Sequence, residues 1–249
     1  MKVIATYNIK GGVGKTATAV NIAYLAASDG YRVLLWDLDP QAAASFLFRV
    51  RPKVKGGGKA LIAGRRPVDD AIKATDFDNL DLHLDSERKS ATRLRSLLVP
   101  LRREYDLVIL DCPPSISLLS ENVLHAADLL LVPLIPTTLS VRTLEQLTEF
   151  ISGFDGRQPQ VLAFFSMLDR RKRLHREIAD ELPVKRDDVA AVAIPALSAI
   201  ERMSVQRAPV TAASPRSQAA RYYRDLWHEA RTRSRLDQAA ITAAGNRAS

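Results

Sequence analysis

Between residues 8 and 21 the chain reads NIKGGVGKTATAVN, and the seven positions from Lys10 to Thr16 hold three glycines and two lysines. Glycine at this density gives a loop that can take positive φ and bring its backbone close to a ligand. A β-branched run, KVIATYN, leads into the loop and an apolar helical pattern leads out of it. The start of such a helix presents unpaired N–H groups and the positive end of its dipole. Strand, glycine loop and helix in that order make a cradle for phosphates. Gly11, Gly12, Val13 and Gly14 would wrap them, Lys15 would set a point charge against the β and γ groups, and the Thr16 hydroxyl would ligate Mg²⁺. Thr18 joins this set from the first turn of the helix. The competing reading is a glycine-rich turn that holds nothing.

Two further segments deliver acids to the ends of apolar runs. VLLWDLDPQ, residues 33–41, ends on Asp37 and Asp39, which alternate along the strand and so can face the same side. YDLVILDCPPS, residues 105–115, carries Asp111 after four apolar residues. Acids at the carboxyl end of a sheet, beside a phosphate loop, can reach Mg²⁺ and an attacking water. For Asp39 a second role is open, as the cap of a helix that begins at Pro40. Cys112 has no histidine near it in sequence and reads as a small core residue.

The elements that must hold these residues are legible as seven short strands: KVIATYN, RVLLWDLD, NLDLHLD, YDLVILDCPP, ADLLLVPLIP, QVLAFFSML and AAVAIP. Helical patterns lie between most of them. Near-continuous apolar runs such as LVIL and LLLVPL are strands buried on both faces. The expected fold is α/β, a doubly wound, mostly parallel sheet with helices on both faces. A single domain is expected over residues 1–249, with a basic, glycine-rich surface loop at about 51–60 and a polar tail at about 237–249.

Composition narrows the function classes. Of 249 residues, 47% are hydrophobic and 26% charged, and no apolar run approaches the roughly 20 residues that span a bilayer. The opening residues meet glycines too early for a secretory signal, so a cytoplasmic location is expected. One cysteine excludes an internal disulfide framework and the paired thiolates of an iron–sulfur carrier. The net charge of +8 is uneven: residues 151–249 hold 17 Lys and Arg against 11 Asp and Glu. That surplus points to a polyanionic partner, the alternative being a solvated basic face.

Lys10 is the residue a plain phosphate loop does not need. With it, KGGVGKT resembles the deviant Walker motif of the ParA/MinD family of P-loop ATPases, and the resemblance continues through DLDPQ and LDCPPS to the IP at residues 194–195. It implies ATP and Mg²⁺ as cofactors and a homodimer that sandwiches two nucleotides. Lys10 would cross to the partner's phosphates, with Lys15 and Asp39 completing the catalytic set; the other reading of Lys10 is a solvated loop cation. Asp39 would orient the water, Asp111 would hold Mg²⁺ through water, and Asp37 would support the metal and switch environment. Met167 and Asp169, in FFSMLDRR, and Pro195, in AIPA, would lie near the adenine. The chain departs from the family where Ala196 and Ala199 stand at positions often held by arginine.

Cations concentrate in two places. DRRKRLHREI carries Arg170, Arg171, Lys172, Arg173 and Arg176; the last long helix carries Arg221, Arg224, His228, Arg231 and Arg235 at steps of three and four, with Tyr223, Trp227 and Ala230 on an inward stripe. An outward basic stripe neutralises phosphates without reading bases, so non-specific, salt-sensitive DNA binding is expected. Arg170, Arg171, Arg173, Arg176, Arg221 and Arg224 are the candidate contacts. The resemblance is greatest to ParA-type partition ATPases, which implies nucleoid association, a ParB-like or cargo-adaptor partner that stimulates hydrolysis, and partition of a plasmid, a chromosome or another cargo. The alternative is a MinD-like membrane switch. The small, polar end of the chain, DQAAITAAGNRAS, is a poor amphipathic anchor, so stable membrane association is not expected. A metabolic ligase on the same scaffold is a third possibility.

Overall fold

The computed structural model describes residues 1–50, 72–84, 94–114, 118–154 and 156–236; the expected loop at 51–60 and tail at 237–249 lie outside them. The strands are β1 (Lys2–Thr6), β2 (Val33–Asp37), β3 (Ile72–Ala74), β4 (Leu80–Leu84), β5 (Leu107–Asp111), β6 (Leu129–Leu134), β7 (Gln160–Leu168) and β8 (Val189–Pro195). They form one sheet in the order β3-β4-β2-β5-β1-β6-β7-β8, and every pairing is parallel except β3 with β4. All seven expected strands are present. The eighth, β3, is a three-residue edge strand with Lys73 and Ala74 exposed, too short to show a period.

The helices are α1 (Lys15–Ser28), α2 (Ala43–Leu47), α3 (Leu94–Leu98), α4 (Leu118–Ala126), α5 (Thr138–Ser152), α6 (Arg173–Lys185), α7 (Ser198–Glu201), α8 (Met203–Gln206), α9 (Val210–Ala213) and α10 (Gln218–Ser234). They cover both faces of the sheet, and two cores result. One packs α1 and α10 on Ile4, Leu35, Ile109, Leu131 and Phe164; the other packs α4 and α5 on Ala5, Trp36, Leu110, Val132 and Phe165. Successive residues of a strand face opposite sides, which is why β2, β5 and β6 are buried at every position and read as unbroken apolar runs. Each fully buried Leu, Ile or Val in them stabilises the fold by about 1.5–3 kcal/mol.

β1 sits between β5 and β6, at the point where the chain stops adding strands on one side and begins on the other. A crevice opens beyond the carboxyl ends of strands at such a point. Parallel register there brings Thr6, Asp111 and Asp37 into one lateral row across β1, β5 and β2. α1, which leaves the loop at that same end, is buried along most of its length because the sheet, α2, α9 and α10 all pack on it. A hydrogen-bonded bracket fixes its position: Asn21 Oδ1 accepts from the Thr211 N–H and hydroxyl, and Asp29 accepts from Trp227 Nε1 and Arg231 Nη1.

Candidate functional site

The loop after β1 is shaped by its own side chains. Asn8 donates from Nδ2 to the Pro133 carbonyl at 2.7 Å and accepts the Lys10 N–H at 2.9 Å, which ties the loop to β6 and turns it. Val13 is buried and anchors the tip. Gly12 and Gly14 take φ of 70° and 92°, and a Cβ on Gly14 would stand 3.0 Å from Ser166 Oγ. Gly14 is therefore required twice, by its backbone conformation and by the side chain beside it. It caps α1, and the Thr18 hydroxyl donates back to its carbonyl at 2.8 Å. Lys15 reaches across the loop, its Nζ donating to the Lys10 carbonyl at 2.9 Å. Burial lowers its pKa, and Asp111, Cys112 and Asp39 pull the other way.

The carboxylates divide into two environments. Asp111 is buried; it accepts from the hydroxyls of Thr6 and Thr16, and its Oδ2 has no partner among the described residues. Burial first and the neighbouring Asp37 second push its pKa up to about 8. Asp37 is also raised by burial, against the hydrogen bonds it accepts: Oδ2 takes the Ser45 N–H and hydroxyl at 2.9 Å each, and Oδ1 takes the Asp39 N–H at 3.3 Å. Asp37 thus fastens α2 to the sheet. Asp39 accepts the Gln41 N–H at 2.9 Å in a local turn, and α2 begins only at Ala43, after Ala42 in a left-handed conformation. The helix-cap alternative for Asp39, with Pro40 as the first helical residue, is overturned, because the turn and Ala42 delay the helix.

These elements enclose a cavity of about 430 Å³. Gly11, Gly12, Gly14, Lys15, Thr16 and Ala17 line it from the loop and α1, and Asp39, Gln41, Pro114, Ser166, Met167, Pro195, Leu197, Ile200 and Tyr223 complete the wall. Met167 reaches its place through a positive φ of 55° at the end of β7. Val13, Thr18, Asp37 and Asp111 stand behind the lining, as does Cys112, a buried thiol whose pKa burial raises. Asp169 lies outside it. Its carboxylate is clasped by Arg171 Nε and Nη2 at 2.9 Å each and takes the Arg171 N–H, which holds it far below the usual carboxylate range. Lys10 also lies outside the lining, its Nζ 3.5 Å from Ser140 Oγ in the first turn of α5. Sequence reading missed Ser166, Gln41 and Pro114 as wall residues and placed Tyr223 only in the core. None of them carries a local signal.

The unpartnered Asp111 oxygen beside the Thr16 hydroxyl suits a divalent cation, which would reverse the penalty that burial imposes on that carboxylate. Two threonine hydroxyls and a carboxylate at the mouth of a phosphate loop are hard oxygen donors of the kind Mg²⁺ takes.

The two cation-rich segments do not share a face. α6 follows the carboxyl end of β7 and packs Ile178, Ala179 and Leu182 into the core shared by α4 and α5. α10 packs Tyr223, Leu226, Trp227 and Ala230 into the opposite core, as the inward stripe anticipated. Arg221 and Arg224 are exposed at the cavity end of α10, since Tyr223 lines the cavity while Arg233, at the other end, donates to the Asp187 carbonyl ahead of β8. The two sets therefore flank the edge strand β8 from opposite sides, at the same end of the sheet. Many are engaged: Arg171 with Asp169, Arg173 with Glu177 at 2.6 Å, and Arg231 with Asp29 at 3.1 Å, while Arg224 donates to the Pro215 carbonyl and Arg176 to that of Arg170. Among the described residues no carboxylate pairs with Arg170, Lys172, Arg176 or Arg221.

Sheet order, loop and strand-end acids define the class: a P-loop nucleoside triphosphatase fold. Residues 1–163 match a family model described as an AAA domain. The chain is 32% identical over 246 residues to the sporulation initiation inhibitor protein Soj of Bacillus subtilis, with 92% of this chain and 97% of that protein covered. It is 34% identical over 198 residues to the chromosome partitioning protein ParA of Myxococcus xanthus, with 73% and 70% covered. Among solved structures, the cell division ATPase MinD of Pyrococcus furiosus superposes with a TM-score of 0.78 over 93% of this chain and 98% of its own, at 21% identity, which speaks for the fold. Cobyrinic acid a,c-diamide synthase from Mycobacterium smegmatis, with bound ATP analogue and magnesium, superposes with a TM-score of 0.73 over 92% and 93% at 27% identity. The chain belongs to the ParA/MinD family of P-loop ATPases, with these sequence relatives on its ParA and Soj side.

Proposed function

We propose that this protein is a Mg²⁺-dependent ATPase whose ATP-bound homodimer binds DNA without reading its sequence and carries out partition or cargo positioning. The observation that carries the reading is a single cavity walled by the Gly11–Ala17 loop and Asp39, with Asp111 and its unpartnered oxygen directly behind. The Gly12–Thr16 backbone binds the phosphates, and Lys15, already held across the loop by the Lys10 carbonyl, neutralises the β and γ groups. Thr16 and Asp111 would hold Mg²⁺, which would supply positive charge to offset that of the transferred phosphoryl group. Asp37 acts through the second strand end, fastening the segment that bears Asp39. Asp39 orients the water whose oxygen attacks the γ-phosphorus as the bond to the β–γ bridging oxygen breaks.

Lys10 has its ammonium outside its own cavity, which supports a role at the phosphates of a second copy. Met167 and Pro195 form the base end of the site. The rim cations around β8 supply the contacts to DNA, and a ParB-like or cargo-adaptor protein stimulates turnover in the cytoplasm, on the nucleoid. Calorimetry with ATP or ADP and Mg²⁺, light scattering of the ATP-loaded protein and turnover measured with and without DNA test this reading. No uptake of adenine nucleotide, or an ATP-bound species that stays monomeric, sinks it. Co-sedimentation with DNA against liposomes separates it from a membrane switch.

A further inference from the structure

We propose that Ser166 hydrogen-bonds the nucleotide at the junction of its sugar and α-phosphate, as a binding residue of this site; the proposal rests on the nucleotide reading above. Ser166 is 7% exposed and lines the cavity, and its hydroxyl has no hydrogen-bond partner among the described residues. A hydroxyl in a cavity wall with no protein partner keeps its donor and acceptor capacity for a ligand that enters. Its place beside the phosphate loop indicates which part of a nucleotide it would meet. Its Oγ stands 3.0 Å from where a Cβ of Gly14 would be, so it lies against the phosphate loop at the start of α1. Its chain neighbour Met167 lines the same cavity and, in the reading above, forms the base end of the site with Pro195. A ligand with phosphates on Gly12–Thr16 and its other end on Met167 and Pro195 must pass Ser166 midway. What lies midway along a nucleotide is the sugar and the α-phosphate.

The bland account is that Ser166 is small only so that β7 can pass close to Gly14. Alanine keeps that smallness and removes the hydroxyl, so the two accounts part on one variant. Ser166→Ala is expected to weaken ADP–Mg²⁺ binding about three- to tenfold, the loss of one hydrogen bond, with an unchanged melting temperature without nucleotide. Ser166→Cys, similar in shape but a poor donor, should weaken it comparably. Titration with adenosine then locates the bonded atom: an equal loss for adenosine assigns the sugar, and a loss confined to ADP assigns the α-phosphate. Wild-type affinity in Ser166→Ala overturns the proposal, and so does a defect seen only in the larger cysteine, which marks packing. If the wild-type protein itself takes up no ADP, the nucleotide reading fails; if it binds and Ser166→Ala binds equally, only Ser166 is lost.

Discussion

The phosphate loop and the cationic rim around β8 occupy the same end of the sheet, yet they are built in opposite ways. In the loop nearly every group is fixed by a partner or by backbone conformation: Asn8 to Pro133, Lys15 to Lys10, Thr18 to Gly14, with Gly12 and Gly14 at φ that only glycine takes without strain. In the rim the side chains are solvent-exposed, and several are tied to nearby acids or carbonyls. The loop's chemistry follows from residue type and spacing because the backbone itself is the binding surface. The rim's does not, because each charge counts only after its neighbours have been subtracted.

The largest expected effect tests the rigid side of that contrast. Gly14→Ala forces a Cβ into a left-handed position and against Ser166, and nucleotide binding measured by calorimetry should fall at least about a hundredfold, the scale of a few kcal/mol of strain. A variant that binds normally would show that the loop is more pliant than its hydrogen bonds suggest. Lys10→Ala comes next. Light scattering should show loss of ATP-dependent dimers, while ADP affinity of the monomer changes less than about threefold, since one long, part-buried hydrogen bond to Ser140 is all the chain itself loses. Intact dimers would leave Lys10 as a loop cation.

On the rim, the paired and unpaired cations should differ. The double variant Arg170→Gln with Lys172→Gln should reduce the slope of log affinity for DNA against log salt by about 1.8, roughly 0.9 for each phosphate contact. Arg171→Gln with Arg173→Gln, whose side chains are shared with Asp169 and Glu177, should reduce it by less. Equal slopes would erase the distinction drawn between the two sets.

A separate effect, on stability rather than binding, concerns the acid behind the loop. The folded state holds a proton on Asp111 up to about pH 8, whereas an unfolded aspartate releases it near 3.8. Between those values the folded chain binds more protons than the unfolded one, so nucleotide- and metal-free stability falls as pH rises. Asp111→Asn does not titrate. Its melting temperature should gain on the wild type from pH 5 to pH 8, by about 2–4 °C for each kcal/mol relieved. A gap that stays flat with pH would mean that the carboxyl is not held protonated by its burial.

Legibility in the sequence followed the range of the interactions. Seven strands were readable because strands buried on both faces leave unbroken apolar runs; β3 was not, because three residues with two exposed show no pattern. The one-turn helices α2, α7, α8 and α9 are held by tertiary contacts, and α2 in particular by Ser45 on Asp37, so nothing local announces them. The aromatic stripe of α10 was readable from its period, yet Tyr223 also reaches the cavity wall, which its period could not say. The chain position of Asp169 suggested the base end of the site, and only the structure shows it outside the cavity with its carboxylate turned to Arg171.

By itself the sequence determined the phosphate loop, the strand-end acids and the doubly wound sheet, since glycine conformation, helix initiation and alternate burial are all settled within a few neighbouring residues. Tertiary structure alone decided which acids are buried together and that Ser166 stands against Gly14. Those facts depend on parallel strands aligning residues far apart in the chain, and no spacing along one strand records its register with another.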